Sequence, residues 1–259
     1  MRIARFSFGD DIKFGVVAAI GDDEVVAPIV GDPLYVPIQP AGDPIPLADV
    51  RLLAPVIPRS KIVGIGRNYA DHAAEMGNEV PANPLLFLKP NTSVIGPGEP
   101  ITYPPFSENV HFEAELAVVI GRVCKDVPAA RVPEVIFGYT CANDVTARDL
   151  QQSDGQWARA KGFDSACPLG PWIETELDPA DLAVTCTVNG ELRQDGRTSQ
   201  MVRDVVELVT YASSAFTLLP GDVILTGTPA GVGPLAPGDQ VAVTIEGIGT
   251  LTNRVVSGG

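Results

Sequence analysis

Short apolar runs, broken every few positions by Gly, Pro and Asp, set the pattern of this chain. In the first stretch, "FGVVAAI" (14–20) and "DEVVAPIV" (23–30) stand between turn residues and predict a small β-rich region. "PVIPRS" (55–60) carries two prolines and marks a boundary, which divides the chain into a small domain, 1–57, and a larger one, 58–259. Beyond it "KIVGIG" (61–66) reads as a strand. "NPLLFLKPNTSVIGPGEPI" (83–101) reads as a strand broken by prolines. "HFEAELAVVIG" (111–121) starts with alternation and ends fully apolar, as one strand entering a core would. "RVPEVIFGYTCANDVT" suggests a short helix and then another strand. "TSQMVRDVVELVTYASSAFTLLPGD" (198–222) is the clearest helix, with a Thr/Ser start and a Pro-Gly end. Gly-punctuated strands close the chain. Few helices lie at βαβ spacing, so the expected class is a β-rich α+β fold, rolled or barrel-like.

Composition narrows the function. The chain has 259 residues, 45% of them hydrophobic, enough for one large domain or a large and a small one with a sizeable core. With 32 acidic against 18 basic residues the net charge is −14, which argues against nucleic acid and anionic membranes as partners. No run approaches the roughly 20 apolar residues of a membrane helix, and "MRIARFSFGD" lacks a signal-peptide core. Cys124, Cys141, Cys167 and Cys186 show no CxxC spacing and lie in or beside apolar runs, as buried free thiols of a reducing compartment do. A cytoplasmic protein is expected.

Chemistry concentrates in a few places. Glu113 and Glu115 are two apart on a predicted strand and so face the same side. Two like charges at a core edge repel, and a hard divalent cation relieves them. Asp144, ending another apolar run, is a third candidate ligand, and three carboxylates suit Mg²⁺ or Mn²⁺ better than zinc. The bland alternative is an edge strand with its acidic face in water. Three carboxylates on one divalent ion leave a net negative charge, so an anionic substrate needs nearby cations. Arg148 and Gln151, four and seven residues past Asp144, stay on one side of a helix that starts there, and Lys161 precedes a glycine. Taken singly, each also reads as a surface residue. "LTGTPAGVG" (225–233) lacks the ending of a nucleotide loop, but its amides and Thr228 can hold a carboxylate; an ordinary Gly-Pro turn is the other reading. In "GRNYADHAAEMG" (66–77), one of only two histidines, His72, has Glu75 three residues on, either an acid–base pair or the wet face of a short helix.

These stretches resemble the fumarylacetoacetate hydrolase family. "GRNYADHAAEMG", "LLFLKP", "HFEAELAVVIG", "ANDVTARDLQ", "KGFDSACPLGPW", "TSQM", "LLPGDVILTGTPAGVG" and "PGDQVAVTIEGIGTLTN" occur in family order over residues 61–253. The resemblance implies a mixed β-sandwich roll with a small N-terminal domain, usually dimeric, holding Mg²⁺, Mn²⁺ or in some members Ca²⁺. It places the metal ligands on Glu113, Glu115 and Asp144, the substrate-touching lysine on Lys161, and substrate-facing positions on Arg148, Gln151 and Thr228. His72 and Glu75 fall on the lid dyad of acylpyruvase-like members, and residues 67–82, polar, Gly/Pro-bounded and short of apolar anchors, are expected to be mobile without ligand. Arg203 departs from the pattern, where an apolar residue is expected after "TSQM". The implied activity is hydrolysis of the C–C bond of acylpyruvate-type 2,4-dioxo acids (fumarylpyruvate or fumarylacetoacetate-like), the metal stabilising the enolate that forms. The same fold also suits an isomerase or decarboxylase of 2-oxo diacids in aromatic catabolism (2-hydroxyhepta-2,4-diene-1,7-dioate, 5-carboxymethyl-2-oxo-hex-3-ene-1,7-dioate) or of oxaloacetate. A third reading is a catalytically idle, metal-stabilised dimer, against which His72, Glu75 and Lys161 all speak.

Overall fold

The computed structural model describes residues 1–21 and 23–258; Asp22 and Gly259, which fall within the two expected domains, lie outside them. Its largest sheet runs in the order Ile45–Pro46, Asp23–Ile29, Asp11–Ile20, Arg2–Phe8, Cys167–Glu174, Ile136–Asn143, Ala114–Ile120, Val223–Leu225, Ile62–Gly66, Leu85–Lys89. A second sheet holds Glu191–Arg197, Ala183–Val188, Gln240–Ile245, Gly249–Ser257 and Ile101–Tyr103. Val110–Phe112 pairs with Thr146–Ala147 and Gly233–Pro234 in a third, small one. Pairing is mostly antiparallel, and Val223–Leu225 runs parallel to Ile62–Gly66. The β-rich α+β reading holds.

Local chemistry explains the elements. Gly9 takes the left-handed conformation (φ 59°) at the turn between the first two strands, where a two-residue hairpin demands it. Strand Ala114–Ile120 is buried at all seven positions, as its apolar run requires of a central strand. Trp172 on the main sheet donates its indole N–H to Ile248 O of the second layer at 2.8 Å. The N-terminal strands extend the main sheet: Arg2–Phe8 pairs with Cys167–Glu174, and the Met1 amine reaches the Glu174 carboxylate.

Among the described residues the α-helices are α1 (Ala70–Glu75), α2 (Arg148–Ser153), α3 (Ala158–Lys161) and α4 (Val205–Ala215), all short. The helix expected over 198–222 is therefore shorter at both ends. Asp204 caps α4 by accepting from Glu207 N at 2.8 Å, and Glu207 reaches back to Asp204 N. Thr198 instead turns its hydroxyl oxygen to Leu182 N at 2.7 Å, in a separate 3₁₀ turn. Arg203 lies before the cap, its side chain outside the helix's buried face and in reach of Glu207 and Ala82 O. The strand expected over 111–121 is two strands broken at Glu113. All four cysteines are free; three are buried, and Cys124 is half-buried. None of the described helices is long and apolar enough to cross a membrane.

Candidate active site

The register of two neighbouring strands assembles the carboxylates. Ala114 pairs with Asn143 and Glu115 with Ala142, so Asp144, one residue past the strand end, arrives beside Glu113; its N–H donates to Glu113 O at 2.9 Å. At the break the ladder is replaced by side chains: Asn143 Oδ1 accepts from Glu113 N and Gln194 Oε1 from Ala114 N, both at 2.9 Å. Glu113, Glu115 and Asp144 are almost wholly buried, and each offers an oxygen within 4.8 Å of the others.

Cations surround two of the three. Arg148 on α2 reaches Glu113 at 2.5 Å and Gln151 Oε1, one turn on, at 2.8 Å. Lys161, ending α3, bridges Glu113 at 2.7 Å and Asp144 at 2.6 Å. Lys89, fully buried, meets Asp144 at 2.5 Å. Sequence reasoning passed over Lys89: a lysine before Pro90 at a strand end looks like a surface residue, and its partner is 55 residues away. It alters the charge count. With all three carboxylates ionised the three cations balance them, and a divalent ion held there would make the cluster doubly positive.

Glu115 stands apart. Among the described residues its one hydrogen-bond partner is Gly227 N at 2.6 Å. Burial, then the charges of Asp144 and Glu113, push its carboxyl well above the usual carboxylate range. Glu113 is also pushed up by burial, but Arg148, Lys161 and His72 outweigh that and hold it well below the range. Burial works against the Lys161 ammonium, yet Asp144 and Glu113 keep it raised. Glu115, a buried oxygen donor with no cation partner beside two ionised carboxylates, is what a divalent ion would satisfy. The residues present fit Mg²⁺ or Mn²⁺, and nothing in the donor set chooses between them.

Of the remaining candidates, His72, Arg148, Gln151, Lys161 and Thr228 surround one space, and Glu75 stands behind His72, off its wall. A cavity of about 350 Å³ is lined by His72, Glu113, Glu115, Arg148, Lys161 and Thr228, with Gln151 also on its wall. His72 on α1 is buried, with Nδ1 3.4 Å from Glu75 Oε2 and Nε2 3.9 Å from Glu113 Oε1. Glu75 also accepts from Gly231 N at 3.1 Å. Thr228 Oγ1 accepts from Gln194 Nε2 at 2.7 Å, which frees the hydroxyl hydrogen to donate into the cavity. Gln194, another buried residue the sequence did not flag, ties this loop to the strand carrying Glu115. Gly227 holds φ 97°, and a Cβ there would lie 2.7 Å from Asn68 Cβ, so the loop passes only as glycine. Within the segment over 67–82, Tyr69 and Ala73 are buried, and Asn68 donates to Thr226 O and Arg203 O. The second histidine, His111, lies next to this site. Burial and Arg148 lower its pKa to about 4 against the opposing pull of Glu113 and Glu75, so it is neutral at physiological pH.

Residues 61–256 match the family model for the fumarylacetoacetate (FAA) hydrolase C-terminal region, and residues 1–55 match the Rv2993c-like N-terminal one. The structure superimposes on 5-carboxymethyl-2-hydroxymuconate delta-isomerase from Mycobacterium smegmatis with a TM-score of 0.92, at 53% identity and full coverage of both chains. The sequence is 44% identical to the mitochondrial oxaloacetate tautomerase Fahd2a of Rattus norvegicus, over 82% of this chain and 71% of that protein. It is also similar to fumarylpyruvate hydrolase from Pseudomonas aeruginosa, solved with Mn²⁺ and pyruvate (TM-score 0.73, 34% identity, 84% of this chain and 93% of that one).

Proposed function

This chain belongs to the fumarylacetoacetate hydrolase family, and from that premise we propose that it is a divalent-metal-dependent enzyme that enolises 2-oxo acids. The first reading is keto–enol or double-bond isomerisation of a 2-oxo diacid, in line with the named activities of the M. smegmatis and rat relatives. One observation carries the reading: His72, with Glu75 behind it, shares a single cavity with Glu113 and Glu115, and Asp144 offers an oxygen within 4.8 Å of both carboxylates. Glu113, Glu115 and Asp144 would hold a divalent cation, which would supply positive charge to offset the negative charge that develops on the substrate. The chain's own residues do the rest. With Nδ1–H donated to Glu75, His72 keeps the lone pair of Nε2 for the proton leaving the carbon beside the keto group. The imidazolium so formed lies 3.9 Å from ionised Glu113. Arg148 and Lys161 keep the cavity positive as the substrate gains negative charge. Thr228 donates its hydroxyl to the substrate carboxylate. The α1 segment limits the access of water.

C–C hydrolysis of an acylpyruvate is the second reading. The same His72–Glu75 pair can deprotonate a water, and the similar P. aeruginosa enzyme is a hydrolase. Purified protein with saturating Mg²⁺ or Mn²⁺ should accelerate enol–keto exchange of oxaloacetate, followed by absorbance, or cleave an acylpyruvate. His72→Ala should slow the reaction found by roughly 10²–10⁴-fold and leave Mn²⁺ affinity unchanged. Neither activity in the wild type would remove the proposal; full activity in His72→Ala would remove the base.

A further inference from the structure

We infer that Arg67 selects the substrate: its guanidinium takes a second carboxylate, remote from the 2-oxo acid group, and matches the site to 2-oxo dicarboxylic acids. The inference rests on the 2-oxo acid reading above and adds the residue that reads the far end.

Backbone conformation is the first ground. Arg67 follows strand Ile62–Gly66 and holds φ 59°, the left-handed region. For a residue with a Cβ this conformation is strained, and glycine would occupy it freely. Its C-terminal flank enforces the conformation. Asn68 Nδ2 donates to Thr226 O at 2.8 Å and to Arg203 O at 3.0 Å, and Asn68 Oδ1 accepts from Arg203 N at 3.0 Å. Tyr69 bridges to Met201. A position that calls for glycine and carries arginine instead points to a use for the side chain.

Charge is the second ground. Arg67, Arg148 and Lys161 are the basic residues on the cavity wall among the described residues. Arg148 and Lys161 are committed to Glu113 and Asp144. Arg67 makes no ion pair or side-chain hydrogen bond among the described residues, in a chain with 32 acidic side chains to offer. Its surroundings suit a short carbon chain: Trp157 packs against Gly66 and stands edge-on to Phe87 at 5.5 Å between ring centroids. The carboxylate and enolate oxygen of a 2-oxo acid already match the doubly positive metal cluster. Arg67 is therefore left over for one more anion, which a guanidinium binds through two parallel N–H groups.

Calorimetry on the Mn²⁺-loaded protein tests this with pairs of probes that differ only at the far end: 2-oxoglutarate against 2-oxopentanoate, and 2-oxoadipate against 2-oxohexanoate. Wild type should bind the diacid of at least one pair tenfold or more tighter than its partner. Arg67→Met should bind both members alike, with the monoacid affinity unchanged. Arg67→Gly relieves the left-handed strain, folds at least as well, and should lose the same preference. Equal affinities in wild type, or a preference retained in both variants, would overturn the role of Arg67. Monoacid binding in those cases would leave the 2-oxo acid reading standing. If neither member of either pair binds the Mn²⁺-loaded wild type, that reading fails and takes this inference with it.

Discussion

The two sides of the cavity hold their chemistry by opposite means. On one side, six ionisable side chains are buried together, and four ion-pair contacts of 2.5–2.7 Å link five of them. They sit at strand ends and on two short helices packed beside the strands. On the other side, the six residues of α1 bury only His72 and Ala73. The contact within its His72–Glu75 pair is a single 3.4 Å approach, and Glu75, about a third exposed, ties it to Gly231. The first side is over-determined by charge: displacing Glu113 leaves Arg148 buried and unpaired, and displacing Asp144 does the same to Lys89. The second can shift with little lost. Substitutions in the carboxylate cluster should therefore register in stability and metal affinity, and substitutions on α1 in rate alone.

Lys161→Met breaks the comparison most severely if it is wrong. The substitution keeps length and burial but removes the cation shared by Glu113 and Asp144. Breaking a buried ion pair outright costs roughly 3–5 kcal/mol; here Glu113 keeps Arg148 and Asp144 keeps Lys89, so chemical denaturation of the metal-free variant should show a loss at the lower end of that range. Mn²⁺ should recover part of it, because the ion offsets the carboxylate charge that Lys161 had balanced. A metal-free stability equal to wild type would mean that the cluster is not held by its ion pairs.

Glu113 and Glu115 sharpen the picture within the cluster itself, through opposite pH dependences. In the metal-free protein the raised Glu115 contributes stability that is complete below the ordinary carboxylate range and is lost as pH rises through its folded-state value. Glu113 is depressed, so its contribution is present above the ordinary range and disappears as pH falls through its folded-state value. Glu115→Gln should accordingly hold its metal-free stability better than wild type from mildly acidic to mildly alkaline pH. Metal must displace the proton on Glu115, so Mn²⁺ calorimetry in two buffers of different ionisation enthalpy should show proton release in wild type. No release would mean that Glu115 is already ionised and that its isolation from cations has no consequence.

Legibility in the sequence divides along the same line. The carboxylates could be found because strand alternation is local: Glu113 and Glu115 two apart, with a fully apolar run behind them. Asp144 followed from the end of the next run. What sequence could not supply was pairing across distance. Lys89 meets Asp144 from 55 residues away, and Gln194 reaches Thr228 from 34. Neither has a local signal, and the missing lysine made the cluster look more negative than it is. The true start of α4 did have one: Asp204 and Glu207 form a capping box that the more conspicuous Thr198-Ser199 obscured. The left-handed conformation of Arg67 follows from hydrogen bonds at Asn68 that join residues far apart in the chain.

Glu75→Gln carries the smallest expected effect and discriminates best between the two sides. The carboxylate has two tasks, one toward His72 Nδ1 and one toward Gly231 N. An amide oxygen can still accept from Gly231, so α1 keeps its tie, and stability and Mn²⁺ affinity should match wild type. What the variant loses is a charged acceptor behind the imidazolium. A hydrogen bond to a charged group exceeds a neutral one by about 1 kcal/mol. Partial exposure screens some of that, and the remainder corresponds to a rate about three- to fivefold lower, with KM unchanged. Glu75→Ala removes both tasks and should be slower again. The pair of variants separates the roles by steady-state kinetics. If Gln is as fast as wild type and only Ala is slow, Glu75 merely moors α1 to the Gly231 loop, and His72 works without a charged partner. If Gln and Ala are equally slow, the charge behind the imidazole is the whole contribution, and the mooring can be cut without loss. Either result fixes how much of the chemistry α1 brings, and how much of it is position.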